Sequence, residues 1–281
     1  MRAVVCHEFA PIDQLVLEER PDPVPDPGQV VVAVRAAGVN YVDGLFVQGK
    51  YQIKPPLPFT PGGEVAGDVV AVGDGVDTVT IGGRVLAMPW MGGFASHVSL
   101  PARSVVPIPG DLSYGQAAGL VQSYGTMLFS FTKRTHLAPG EWVLVLGAGG
   151  GIGLAAVDVA THLGARVIAA ASSPEKLAAA TAAGAEATID YESEDIKARA
   201  RELSGGGVDV VVDPVGDRFA EPALRALRWM GRYLVIGFAG GEIPRLPINQ
   251  VLLNNRTLLG VDWGAWTGRD PEGNQFCVID E

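Results

Sequence analysis

The chain has 281 residues, 48% of them hydrophobic, with 37 glycines and a formal net charge of −10. That length exceeds one ordinary core, so two domains are expected. An acidic chain without a basic run excludes nucleic acid and anionic membrane surfaces as natural partners. The first residues, "MRAVVCHEF", carry no secretory pattern, and no apolar run is long enough to span a bilayer. Two cysteines, Cys6 and Cys277, stand at opposite ends and form neither a C-x-x-C pair nor a disulfide framework. A cytoplasmic protein with reduced thiols is expected.

Short Val-rich runs bounded by Gly and Pro fill the first half: "GQVVVAVRAAGV", "GDVVAVGDGV" and "GGRVLAMPW". They predict a β-rich unit. Helix is expected only after "PGDLSYGQAAGL", capped by Asp111 or Ser113. Within this half, "TPGGEVAG" sets a lone acid, Glu64, among glycines and small apolar residues. Burying a carboxylate there is costly unless a metal, a catalytic proton or a hydrogen-bond network meets it.

From Glu141 the rhythm changes. "EWVLVLG" predicts a strand buried on both faces, and "IGLAAVDVATHLG" a helix packed through small residues. The strand "RVIAAA", helix "PEKLAAATAAG", strand "ATIDY", helix "SEDIKARARELSGGG", strand "VDVVVDP", helix "RFAEPALRALRWMG" and strand "RYLVIG" follow. This alternation predicts right-handed βαβ units and a doubly wound parallel sheet, an α/β fold of the Rossmann kind.

The turn "VLVLGAGGGIG" joins the first of these strands to its helix. Ile152 stands where the strict G-x-G-x-x-G spacing has its third glycine, and the spacing is instead Gly147, Gly150 and Gly153, with Gly151 beside them. The chemistry is the same: a tight turn, close backbone approach to a pyrophosphate, and helix N–H groups aimed at phosphate. NAD enzymes end the next strand with an acid for the ribose 2′-OH. Here that strand ends in Ala171, Ser172 and Ser173, with Lys176 one helical turn on. Two hydroxyls and an ammonium suit a 2′-phosphate, so NADPH is the expected cofactor. Ser173-Pro174-Glu175 also reads as an N-cap followed by proline at the first helical position. The four histidines, His7, His97, His136 and His162, have no metal-ligand spacing, and no G-x-S-x-G elbow is present.

Taken together, "GVNYVDGLFVQGKY", "TPGGEVAGDVVAVG", "APGEWVLVLGAGGGIG", "SSPEK", "IDY" and "IGFAGGEIPRLPIN" resemble the zinc-independent quinone oxidoreductases of the medium-chain dehydrogenase/reductase superfamily. The resemblance implies a GroES-like β-rich substrate domain over residues 1–125, completed by 265–281, and a Rossmann NADPH-binding domain over 126–264, with the active site between them. Where zinc-dependent relatives place a cysteine and a histidine, this chain resembles them with Asn40 and Gly63, so no metal is expected and Glu64 should be satisfied by polar neighbours. The resemblance makes Asn40, Asp43 and Tyr51 substrate-site residues, and Tyr41 joins Tyr51 as a possible donor. Thr126 looks like the nicotinamide-side threonine, Lys176 and Tyr191 like contacts to the 2′-phosphate end, and Phe238, Ala239 and Gly240 like the loop under the nicotinamide.

Without zinc as a Lewis acid, substrates already activated by conjugation need least help. Quinones and α,β-unsaturated carbonyl compounds are therefore the expected substrates. An enoyl-thioester reductase and a non-catalytic NADPH-binding protein are the alternatives. A homodimer through the outer Rossmann strand, residues 256–263, is also implied. The last residues, "GNQFCVIDE", resemble no family segment, and against the family's closing segment either a truncated chain or a naturally short protein is expected.

Overall fold

The structure, a computed structural model, describes residues 1–269. The chain divides into two compact units, Met1–Gln122 and Ser123–Glu281.

The first unit carries β1 (Arg2–Val5), β2 (Val16–Glu19), β3 (Gln29–Gly38), α1 (Tyr41–Val47), β4 (Glu64–Val72), β5 (Arg84–Ala87), β6 (His97–Pro101), β7 (Val105–Pro107) and α2 (Tyr114–Ala118). Five strands form an antiparallel sheet in the order β6-β3-β4-β5-β7, and β1 pairs with β2. Val30, Val32, Val65, Val69 and Val85 form its core. The expectation that helix begins only after residue 110 is corrected by α1. That helix is short, and a polar cap starts it: Asn40 is extended, and its N–H donates to Asp43 Oδ2 at 2.8 Å. An acid three residues after the cap was the available signal. As expected, Ser113 caps α2, its hydroxyl accepting from Gln116 N.

Helix α3 (Val121–Phe129) spans the division between the units. The second unit continues with β8 (Trp142–Leu146), α4 (Gly151–His162), β9 (Arg166–Ala171), α5 (Pro174–Ala182), β10 (Ala187–Asp190), α6 (Ile196–Leu203), β11 (Val208–Asp213), α7 (Ala220–Ala226), β12 (Leu227–Val235), α8 (Asn249–Leu252), β13 (Thr257–Gly260) and α9 (Trp263–Arg269). The strands are all parallel, in the order β10-β9-β8-β11-β12-β13. This is the doubly wound dinucleotide-binding order.

Strand β8 shows why its sequence is continuously apolar. Val143 and Val145 enter one core with α4, while Trp142, Leu144 and Leu146 enter a second with α6 and α7. Each such side chain, removed from water, contributes about 1.5–3 kcal/mol. The helix expected to run through "RWMG" ends at Ala226, and those residues belong to β12. Leu224 and Leu227 are spaced as on a helix, but Leu227 pairs with Val208, and a register shift with Met230 at φ 60° carries the strand onward.

The expected closing segment, residues 265–281, is described only as far as 269. There α9 places Trp266 against Phe129, 4.8 Å between ring centroids. Residues 270–281 lie outside the described residues.

Candidate functional site

Two acids stand at the centre of the β-rich unit. Glu64 opens β4 and is 2% exposed, while Asp43 lies in α1 at 4%. Glu64 Oε1 accepts from Asn40 Nδ2 at 2.8 Å, and Oε2 accepts from Gln122 N at 2.9 Å. Asp43 accepts from the backbone N–H groups of Asn40, Gly62 and Gly63. Burial pushes both carboxyls up, and the charge of Asp43 pushes Glu64 further, while these donors oppose the rise. Gly38 faces Glu64 across β3 and β4, and a Cβ there would meet Glu64 Oε1 at 2.3 Å.

The other expected substrate-site residues divide. Tyr41 is 58% exposed on α1. Tyr51 is half-buried, with its ring on Phe46 at 4.6 Å, and belongs to a small cluster with Cys6, Val47 and Phe59.

In the second unit the glycine turn is built for close approach. Gly147 has φ 59°, and a Cβ on Gly153 would meet Gly147 O at 2.2 Å, so that helix α4 starts hard against the strand. Gly150 is the N-cap and no side chain caps the helix. Ile152 packs against the core, which leaves its backbone to the turn. A Cβ on Gly149 would meet Lys176 Cβ at 2.4 Å, so the lysine stem crosses directly over the turn. Lys176 Nζ donates to Ser172 Oγ at 3.0 Å, and Tyr191 also hydrogen-bonds Ser172. Ser172, Lys176 and Tyr191 thus form one cluster. Ser173 instead caps α5, accepting from Lys176 N.

Thr126 is buried in α3, and Ser130 Oγ donates to its carbonyl at 2.7 Å. The loop with Phe238, Ala239 and Gly240 is laced to the end of β11: Ala239 N donates to Pro214 O and Gly240 N to Val215 O.

Sequence reasoning missed three contributors. Gln122 acts through its backbone N–H, which no residue pattern reveals. Asp213 accepts from Val215 N, Gly216 N and Tyr233 Oη, and so shapes the 213–217 turn; an Asp followed by Pro and Gly was the signal. Phe219 packs on Tyr191 at 4.3 Å, beneath Arg218.

Residues 26–110 match the family model "Alcohol dehydrogenase GroES-like domain", and 151–275 match "Zinc-binding dehydrogenase". A quinone oxidoreductase-like protein 2 homolog of Nematostella vectensis is 42% identical over 275 residues, covering 96% of this chain and 74% of the relative. Among solved structures, the Thermus thermophilus quinone oxidoreductase, also determined in complex with NADPH, is 35% identical at a TM-score of 0.83, covering 98% of this chain and 85% of that one. The Escherichia coli quinone oxidoreductase complexed with NADPH is 26% identical at a TM-score of 0.86, covering 100% and 90%. The chain belongs to the zinc-independent quinone oxidoreductases of the medium-chain dehydrogenase/reductase superfamily.

Zinc, which one matching model's name implies, does not fit the acids of this family member. A cation needs lone pairs converging on it. Around Glu64 and Asp43 the neighbours are N–H donors, and among the described residues no group of three or more His, Cys, Asp and Glu gathers as a metal site. Nor is any helix among them long and apolar enough to cross a membrane.

Proposed function

We propose that the protein is an NADPH-dependent reductase of quinones and α,β-unsaturated carbonyl compounds. The observation that carries the cofactor is the Ser172–Lys176–Tyr191 cluster over a glycine turn with no acid at the end of β9. A 2′-phosphate would find an ammonium and two hydroxyls there. Residues 147–153 would hold the pyrophosphate through backbone N–H groups. Thr126 and the loop of Phe238, Ala239 and Gly240 would border the nicotinamide. When bound, NADPH supplies the hydride, and the protein supplies orientation and charge stabilisation.

On the substrate side, Asp43 is filled by three backbone donors, so it holds Asn40 and α1 rather than exchanging a proton with substrate. The half-buried Asn40 amide and the exposed Tyr41 hydroxyl are the donors for the oxygen that gains charge as hydride arrives. Tyr51 lines the site through its ring. A homodimer through β13 is part of the same reading. Among the described residues this strand is the outer edge of the sheet, and Leu252, Leu253 and Leu258 are exposed.

The test is a steady-state screen of quinones, enones and enoyl thioesters with NADPH and NADH. Turnover of quinones or enones with NADPH preferred is expected. Lys176→Ala should weaken NADPH by about tenfold, the scale of one charge-assisted contact, and leave NADH nearly unchanged. Equal losses for both cofactors would remove Lys176 from the 2′-phosphate. Turnover of enoyl thioesters alone would replace the substrate class.

A further inference from the structure

The position of Glu64 constrains more than its own burial. Its carboxylate lies across the bare α-carbon of Gly38, with Gln122 N–H on one oxygen and Asn40 Nδ2 on the other. A carboxylate only accepts hydrogen bonds, and a backbone N–H only donates. Asn40 is the one partner that can turn over, and against an acceptor it must present its NH2. Its Oδ1 and remaining N–H are thereby fixed in direction.

We propose that Glu64 is a positioning residue that sets which way the Asn40 amide faces the reacting oxygen of the substrate. The proposal rests on the reductase reading for what Asn40 meets, but the orientation itself rests on hydrogen-bond polarity alone. Glu64→Gln separates orientation from shape. The new amide has the volume of the carboxylate, yet its oxygen must serve Gln122 N–H. Its NH2 then faces Asn40, which must turn and offer Oδ1 instead. The turn is felt next at the capping box of α1, where the Asn40 side chain meets the Asp43 backbone N–H.

Three measurements test this. In the wild type, the side-chain NH2 of Asn40, followed by 15N NMR, should show one proton protected from exchange; two freely exchanging protons would overturn the proposal. Glu64→Gln should lower kcat with a quinone by about a hundredfold, the lower end of the scale for one lost oxyanion donor, while the NADPH Kd stays within about twofold. The Glu64→Gln/Asn40→Ala pair should be no slower than Asn40→Ala alone, because both changes remove the same contact. An undiminished kcat in Glu64→Gln, or losses that multiply in the pair, would overturn positioning; a merely structural role would move the NADPH Kd as well. A wild type that protects the amide proton but reduces no quinone or enone would sink the reductase reading and uphold the fixed amide.

Discussion

Glu64 in the β-rich unit and Asp213 in the parallel-sheet unit are the same chemical object in two settings. Each is 2% exposed, each has its carboxyl pushed up by burial, and each has its oxygens filled by donors. They differ in where the donors lead. Asp213 is held by Val215 N and Gly216 N at 2.8 and 2.7 Å and by Tyr233, whose side chain is wholly buried. That acid spends its hydrogen bonds on a turn, and the turn supports the loop of residues 236–241. Glu64 has two backbone donors, Gln122 and Val121, and one side-chain donor, and the last, Asn40, is half-exposed. A buried acid among fixed donors shapes backbone. One whose partner reaches the surface passes its orientation outward.

The largest expected effect separates the two on stability. Asp213→Ala leaves two backbone N–H groups and a buried phenol without an acceptor, and should cost about 3–5 kcal/mol. Glu64→Ala leaves the Gln122 and Val121 N–H groups without their acceptor, but no buried phenol, and Asn40 can turn to water, so a smaller cost of about 2–3 kcal/mol is expected. Urea unfolding of both variants measures the difference. Equal costs would mean that Glu64, like Asp213, is a purely structural acid.

A smaller pair of effects sharpens the same point. Tyr233→Phe should lower stability by about 1–2 kcal/mol, since burial already pushes this phenol's pKa far up and only its neutral O–H can serve Asp213. Asn40→Ala should cost under about 1 kcal/mol, because a water can reach the vacated oxygen of Glu64. Turnover should rank them the other way, with Asn40→Ala the slower enzyme. If Tyr233→Phe slowed turnover as much as Asn40→Ala, the division between shaping and orienting would fail.

The parallel sheet was legible because its central strands, β8, β9 and β11, are buried on both faces and read as nearly unbroken apolar runs. The glycine turn was legible because Gly147, Gly149 and Gly153 each answer a close approach that the structure contains, Gly153 on Gly147 O being the tightest. That Glu64 would be met by polar neighbours was also legible; that one of them is a backbone N–H fifty-eight positions away was not. Backbone donors carry no residue signature, and only the fold brings them. Helix α1 and the start of β12 were misread for local reasons. A seven-residue helix shows too few turns for a period to emerge, and Leu224 with Leu227 fits helix and strand alike.

The smallest effect is in pH, and its sign discriminates between the acids. The folded-state carboxyls of Glu64 and Asp213 lie above their ordinary values of 4.5 and 3.8. Between the ordinary and the raised value the folded state binds the extra proton, so each acid's contribution to stability falls as pH rises through that window, by at most about 1.4 kcal/mol per pH unit. Wild type compared with Glu64→Gln, and wild type compared with Asp213→Asn, should both show this decline in urea unfolding. Kinetics should show it only for Glu64. A proton on Glu64 must sit on Oε1, since Oε2 faces the fixed Gln122 N–H, and an O–H on Oε1 forces Asn40 to turn as the glutamine amide does. Asp43, the neighbouring acid, raises Glu64 further and so moves the midpoint up without changing the direction. The kcat of the wild type should therefore fall on acidification through the Glu64 window, and that of Glu64→Gln should be low and flat across it. An acid limb of the same size in Glu64→Gln would assign the titration to another group, Asp43 first, and would leave the two buried carboxylates functionally alike.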